Sequence, residues 1–227
     1  MPAKRVTGAC LGIEYLVLGY LDNNVYLVDC GNNACMVVDP SCDADAIMEA
    51  VGSRKVEAIM CTHYHSDHTG AAAELRRRTG APVIASRLDA EYIEHPRKVG
   101  TSPVPVHEAC TVDVLVDDRD RIDVGEVAFT VFLTPGHSEG SMCWYASPER
   151  CTGPYDPQGV PVLLSGDTLF NGCTGRTDFV GGSSYQMARS MATLAQLPDE
   201  TLVLPGHNGF TTIARERQAA FRKWGIR

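Results

Sequence analysis

Four absences narrow the function of this 227-residue sequence. No apolar run reaches the roughly 18 to 20 residues that a membrane-spanning helix needs. The opening Met1-Pro2-Ala3-Lys4-Arg5-Val6 starts like a leader, but no apolar core or small-residue cleavage site follows. A cytoplasmic location without a membrane partner is expected. No basic cluster exceeds Arg76-Arg77-Arg78, and the formal net charge is −8, which argues against nucleic acid as a partner. No Cys-x-x-Cys pair occurs among nine scattered cysteines, so a thiolate zinc knot is not expected. An odd number of thiols fits a reducing compartment that uses cysteine as a small buried hydrophobe. The rest is ordinary: 44% hydrophobic and 21% charged residues, no linker and no low-complexity tract. One globular domain over residues 1–227 is expected.

Histidine is scarce too, with seven in all, yet three lie within His63-Tyr64-His65-Ser66-Asp67-His68. An apolar, strand-like run at 56–61 precedes this hexapeptide, and a helix-like run at 69–78 follows it. Imidazole nitrogens and a carboxylate on a strand-to-helix turn suit zinc, and also iron or manganese. Donors this close cannot all reach one small ion without strain, so two divalent ions are expected. A cap at the start of the following helix is a second role open to Asp67.

Three more donors follow strand-like runs: His137 after Leu133-Thr134-Pro135-Gly136, Asp167 after Leu163-Leu164-Ser165-Gly166, and His207 after Leu204-Pro205-Gly206. Glycine before each lets the backbone turn sharply, and strand ends are where open sheets place their sites. Around these positions the patterning predicts strands at 14–19, 24–29, 34–39, 56–60, 82–85, 112–116, 126–133, 140–146, 161–164 and 201–204. Helices are predicted at 43–51, 69–78, 184–197 and 212–224. Proline-containing stretches at 95–110 and 148–160 read as loops that frame a pocket. His95 and His107 in the first loop lack the Gly-His setting and read as solvated. Trp144 and Trp224 read as packing, and Arg215, Glu216 and Arg217 as a charged helix face. Two strand-rich blocks, each followed by helices, predict two sheets packed face to face with helices outside.

The order His-x-His-x-Asp-His, Gly-His, Gly-Asp, Gly-His resembles the metallo-β-lactamase superfamily across essentially the whole chain. The resemblance implies an α/β (α+β) fold, a four-layer αββα sandwich with its site at one edge. It also implies that one metal takes His63, His65 and His137, that the second takes Asp67, His68 and His207, and that Asp167 bridges them. Ser165-Gly166-Asp167-Thr168-Leu169-Phe170, Gly175-Arg176-Thr177-Asp178-Phe179 and the ending Thr211 to Gln218 look like glyoxalase II and its short relatives. That branch implies hydrolysis of a small-molecule 2-hydroxyacyl thioester.

Two cations about 3.5 Å apart can share a water and bring its pKa toward neutrality. A thiolate leaves easily, so no strong general acid is required. Asp67 is expected both to bind metal and to orient the nucleophile. Arg176 either forks onto a substrate carboxylate or pairs with Asp178 to stiffen its loop. Tyr64 and Asn208 adjoin donors, as support or as packing. Only about twenty residues follow His207, so the acyl thioester is better supported than glutathione as the thiol. Gly175-Arg176-Thr177-Asp178 also resembles persulfide dioxygenases of the same branch, which implies as the alternative one iron on His63, His137 and Asp167.

Overall fold

The computed structural model describes residues 2–98, 104–150, 156 and 158–226. The first half builds a sheet from β1 (Lys4–Arg5), β2 (Ile13–Leu18), β3 (Asn23–Gly31), β4 (Ala34–Val38), β5 (Lys55–Met60), β6 (Val83–Ser86) and β7 (Val114–Val116). These strands lie side by side in chain order. Between them run α1 (Ala44–Val51), α2 (Ser66–Thr69), α3 (Ala72–Thr79) and α4 (Ala90–Glu94). The second sheet holds β8 (Arg121–Val124), β9 (Val127–Leu133), β10 (Met142–Ala146), β11 (Val162–Gly166), β12 (Leu202–Pro205) and β13 (Thr211–Thr212). It too follows chain order from one edge to the other. Its helices are α5 (Ser184–Leu194), α6 (Ile213–Arg217) and α7 (Ala220–Lys223). Both sheets mix directions: β4, β5, β6 and β7 are parallel, as are β11 and β12, and the other pairs are antiparallel.

The layering follows from residue parity. A strand alternates its side chains between faces, and β3 and β4 are apolar on both. Tyr26, Val28, Met36 and Val38 pack with Phe129, Val131, Trp144 and Leu164 of the second sheet. Their neighbours Val25, Leu27, Cys35 and Val37 pack with Ile47, Val51 and Leu75 from the helices. Cys143, Leu163 and Val203 meet Met187, Met191, Leu194 and Phe221 on the far side. Three cores between four layers make the αββα sandwich. Trp144 lies fully buried between the sheets, and Trp224 packs at the edge of the outer core.

Several boundaries differ from expectation. The helix expected at 69–78 is two helices, because Ala71 gives its N–H to the Pro40 carbonyl (2.9 Å) and Gly70 passes against the Ser41 backbone. The helix expected at 212–224 is likewise broken into α6 and α7 by the non-helical Ala219 (φ −122°, ψ −93°). Glu216 is no surface charge: it is fully buried and accepts from Thr211 Oγ1 (2.6 Å), Gly172 N (3.0 Å) and Ala220 N (3.2 Å). The short α4 and β8 carry too few periodic residues to be read from sequence. Of the expected loops, residues 99–103, 151–155 and 157 lie outside the described residues.

Candidate metal centre

All seven donors sit at one edge of the sandwich, on segments leaving strand ends. His63 and His65 follow β5, and Asp67 and His68 lie in α2. His137 follows β9, Asp167 follows β11 and His207 follows β12. Four donors thus come from one sheet and three from the other. Glycine is required where these turns crowd together. Gly166 has φ +48° beside the Thr62 side chain. A Cβ on Gly206 would lie 2.5 Å from His68 Cε1 and 2.6 Å from Asp167 Oδ1.

The side chains converge as two groups. In the first, His65 Nδ1 lies 3.1 Å from His63 Nε2 and 2.8 Å from His137 Nε2. In the second, His68 Nε2 and His207 Nε2 are 3.2 Å apart, and each lies 3.3–3.4 Å from Asp67 Oδ2. Asp167 spans both: Oδ1 is 3.3 Å from His68 Nε2, and Oδ2 is 3.5 Å from His137 Nε2 and from His207 Nε2.

The far side of each ring fixes which nitrogen carries the proton. His137 Nδ1–H donates to the Arg176 carbonyl (2.8 Å), and His207 Nδ1–H donates to the Leu21 carbonyl (3.0 Å). His68 Nδ1–H donates to Asp39 Oδ2 (2.9 Å). Thr62 Oγ1 donates to that same oxygen (2.7 Å) and so accepts from His63 Nδ1–H (3.1 Å). Four imidazoles therefore point Nε2 inward, where it can meet an ion. His65 enters through Nδ1 instead, and its buried Nε2 finds no partner among the described residues.

Electrostatics divide the groups. Burial, reinforced by neighbouring imidazoles, holds His63 well below its ordinary pKa and takes His65 down to about 3. Burial lowers His137 as well. These rings are neutral, the form that binds metal. Burial also opposes charge on His68, but Asp167, Asp67 and Asp39 outweigh it and raise the ring. Burial opposes a charge on His207 too, yet the hydrogen bonds that its imidazolium gives to Asp167 and Asp67 raise it to about 9. Without an ion, the second group must borrow imidazolium charge to balance its carboxylates.

Several supporting residues carried no signal in the sequence. Asp39 reads there as a strand end before proline, yet it is buried and also accepts from Thr62 N (2.7 Å). Asn24 N donates to the Gly206 carbonyl (2.7 Å), and its Nδ2 donates to Pro205 O (2.9 Å) and Asn208 O (3.0 Å). Tyr26 Oη adds a bond to Pro205 O (2.6 Å). Strand β3 of one sheet thereby pins the His207 turn of the other. Asp89 accepts from Tyr64 N (3.1 Å), Ser138 Oγ (2.7 Å) and Gly140 N (2.8 Å), tying the His63 loop to the His137 loop. Tyr64 stacks on Tyr92 and donates to Val180 O (3.0 Å).

The structure corrects the reading of His107. It is buried, bonded to Ser66 Oγ (3.1 Å) and near the Ile93 carbonyl (3.3 Å), and so braces the start of α2. His95 is exposed as expected. The Arg176 guanidinium forks onto Asp178 (2.9 and 2.7 Å) and stacks on Phe179 at 4.4 Å, while the residue lines a cavity. That cavity, of about 490 Å³, opens on the donors. Leu21, Val106, Phe170 and Phe179 give it apolar walls, and Lys98 stands at its side. The 95–110 loop helps to frame it. The described residues of the second loop do not: Val160 pairs with Gly8 and Cys10 instead.

The donors fit metal ions. Facing lone pairs at 2.8–3.1 Å repel unless a cation lies between them, and a buried Asp167 oxygen has no hydrogen-bond partner among the described residues. Residues 18–207 match the family described as the metallo-beta-lactamase superfamily. The chain belongs to that superfamily. Metallo-β-lactamase folds among solved structures agree. The BLEG-1 B3 metallo-beta-lactamase superposes with a TM-score of 0.80 at 30% identity, over 91% of this chain and 96% of that one. A di-iron-bound form of TTHA1623 gives 0.69 at 29% identity, over 91% and 98%. The hydroxyacylglutathione hydrolase of Marinomonas sp. is 32% identical over 82% of this chain, which spans 61% of that protein.

Proposed function

We propose that the protein hydrolyses acyl thioesters, those of 2-hydroxy acids foremost, with two divalent ions at this centre and zinc as the first choice. One observation carries the reading: two complete donor groups share Asp167 at the floor of a cavity large enough for a small acyl group and part of its thiol. Ions held there supply a water of lowered pKa and polarise an acyl oxygen.

The chain's own residues do the rest. Neutral His63 and His137 are aimed by Thr62 and the Arg176 carbonyl respectively. Burial works against charge on Asp67, but His68 and hydrogen bonds from His207 and His68 outweigh it, so the carboxylate stays ionised and can orient a nucleophile. Phe179 packs edge-on against His65 and His137 (5.3 and 5.7 Å) and keeps bulk water off them. Oxygen adds to the acyl carbon, the C–S bond breaks, and the sulfur leaves as thiolate, which needs no protonation first. The hydroxyacylglutathione hydrolases among the relatives support the acyl half of this assignment.

The test combines metal analysis with turnover of lactoyl thioesters of glutathione, coenzyme A and cysteamine. Two ions per chain and thioester turnover are expected, and Asp167→Ala should lower metal retention and cut turnover by at least about 10²-fold. One iron per chain with persulfide-dependent oxygen uptake and no thioester turnover would instead select the dioxygenase reading on His63, His137 and Asp167.

A further inference from the structure

Two adjacent asparagines open β3, and they are used differently. Asn24 spends its amide hydrogens on two carbonyls. Asn23, fully buried, turns its amide into the second metal group. Its Nδ2 lies 3.0 Å from Asp67 Oδ2, 3.3 Å from His68 Nε2 and 3.4 Å from His207 Nε2. Both imidazoles donate through Nδ1 on their far side, which leaves both Nε2 atoms directed at the ion site. The amide nitrogen, which has no free lone pair, thus faces the three donors, while the buried Oδ1 of the same amide has no partner among the described residues.

The distances define a further relation. The Asn23 vertex, Asp67 Oδ2, His68 Nε2 and His207 Nε2 are separated pairwise by 3.0–3.4 Å. The centre of a tetrahedron with such edges lies about 2.0 Å from each corner, the length of a zinc bond to nitrogen or oxygen. The amide vertex fits an ion only as oxygen, because an amide nitrogen bears no free lone pair. A half-turn of the carboxamide exchanges the two atoms with little change of shape. Pairing holds the backbone on both flanks, to Leu18 in β2 and to His207 through an isolated bridge. The half-turn is therefore the motion left to this side chain.

We propose that Asn23 is an eighth donor of the centre, its carboxamide oxygen turned onto the ion held by Asp67, His68 and His207. The inference concerns metal binding and stands whichever substrate is turned over.

Cobalt(II) titration of the metal-stripped full chain tests it, followed by calorimetry and visible absorption, in wild type, Asn23→Ala and Asn23→Asp. Wild type should bind two ions. Asn23→Ala should bind the first as wild type does, which also shows that it folds. It should bind the second at least 10-fold more weakly, with stronger absorption that signals fewer donors. Asn23→Asp offers an oxygen but no hydrogen and should hold the second ion at least as tightly as wild type. If Asn23→Asp is as weak as Asn23→Ala, the amide is a hydrogen-bond donor to Asp67 and the proposal fails. Two ions bound normally by Asn23→Ala would also overturn it, as would loss of the first ion in both variants.

Discussion

At the scale of single residues, the centre depends as much on groups behind the rings as on the rings. Asp39 is the clearest case, because one carboxylate receives the His68 ring, the Thr62 hydroxyl and the Thr62 amide. Removing it frees His68 to rotate and releases the Thr62 hydroxyl that aims His63. Asp39→Ala should weaken metal binding about 10–100-fold, and a buried unpaired amide should cost about 1–3 kcal/mol of stability. Metal-titration and chemical-denaturation curves read the two effects separately. Unchanged metal affinity in this variant would show that Asp39 only stabilises the fold.

At the scale of elements, the site is made by loops that must approach more closely than side chains normally permit. Gly206→Ala puts a methyl against both His68 and Asp167. It should lose the second ion while keeping the first. Gly209→Ala meets nothing closer than Asn171 Nδ2 at 3.9 Å and should keep both. Metal content of the two purified variants decides the matter. Asp89, which joins two donor loops, should make stability depend on pH. Burial pushes its carboxyl up to about 6, against the hydrogen bonds it accepts. A carboxyl whose folded pKa is raised favours the protonated folded state, so this contribution is complete below the unfolded value near 4 and is lost as pH rises through about 6. The magnitude is at most about 3 kcal/mol. The difference in Tm between wild type and Asp89→Asn, followed from pH 4 to 7, should change steadily across that window. A flat difference would contradict the assignment.

At the scale of the whole molecule, the seven candidate donors come from both sheets, so ions held by them would bridge the two halves of the sandwich. Any ligand that binds only the folded state stabilises it, by about 2.7 kcal/mol at a hundredfold excess over Kd. For a chain of this length, that is a Tm change of about 5–10 °C for each ion. Chelation should therefore lower Tm by that amount or more, and restored metal should recover it. No helix among the described residues is long and apolar enough to cross a membrane. An unchanged Tm after complete metal removal would mean that the sheets hold together without the centre's help.

The sequence by itself determined the layers and singled out the seven residues that the structure brings together. Strand parity is local, with period two, and a dense histidine motif followed by Gly-His, Gly-Asp and Gly-His survives any uncertainty in loop shape. Only the tertiary structure decided what stands behind those donors. Asp39, Asn23, Asn24 and Asp89 lie 23–184 positions from the groups they hold. No residue spacing along the chain records such contacts. The same reason hid the burial of Glu216 and His107, which read as solvated charges until partners from distant segments closed over them. Arg176 shows the limit most directly: its guanidinium pairs with a neighbour two residues away, whereas its backbone carbonyl, which no sequence distinguishes, fixes a ring 39 residues distant.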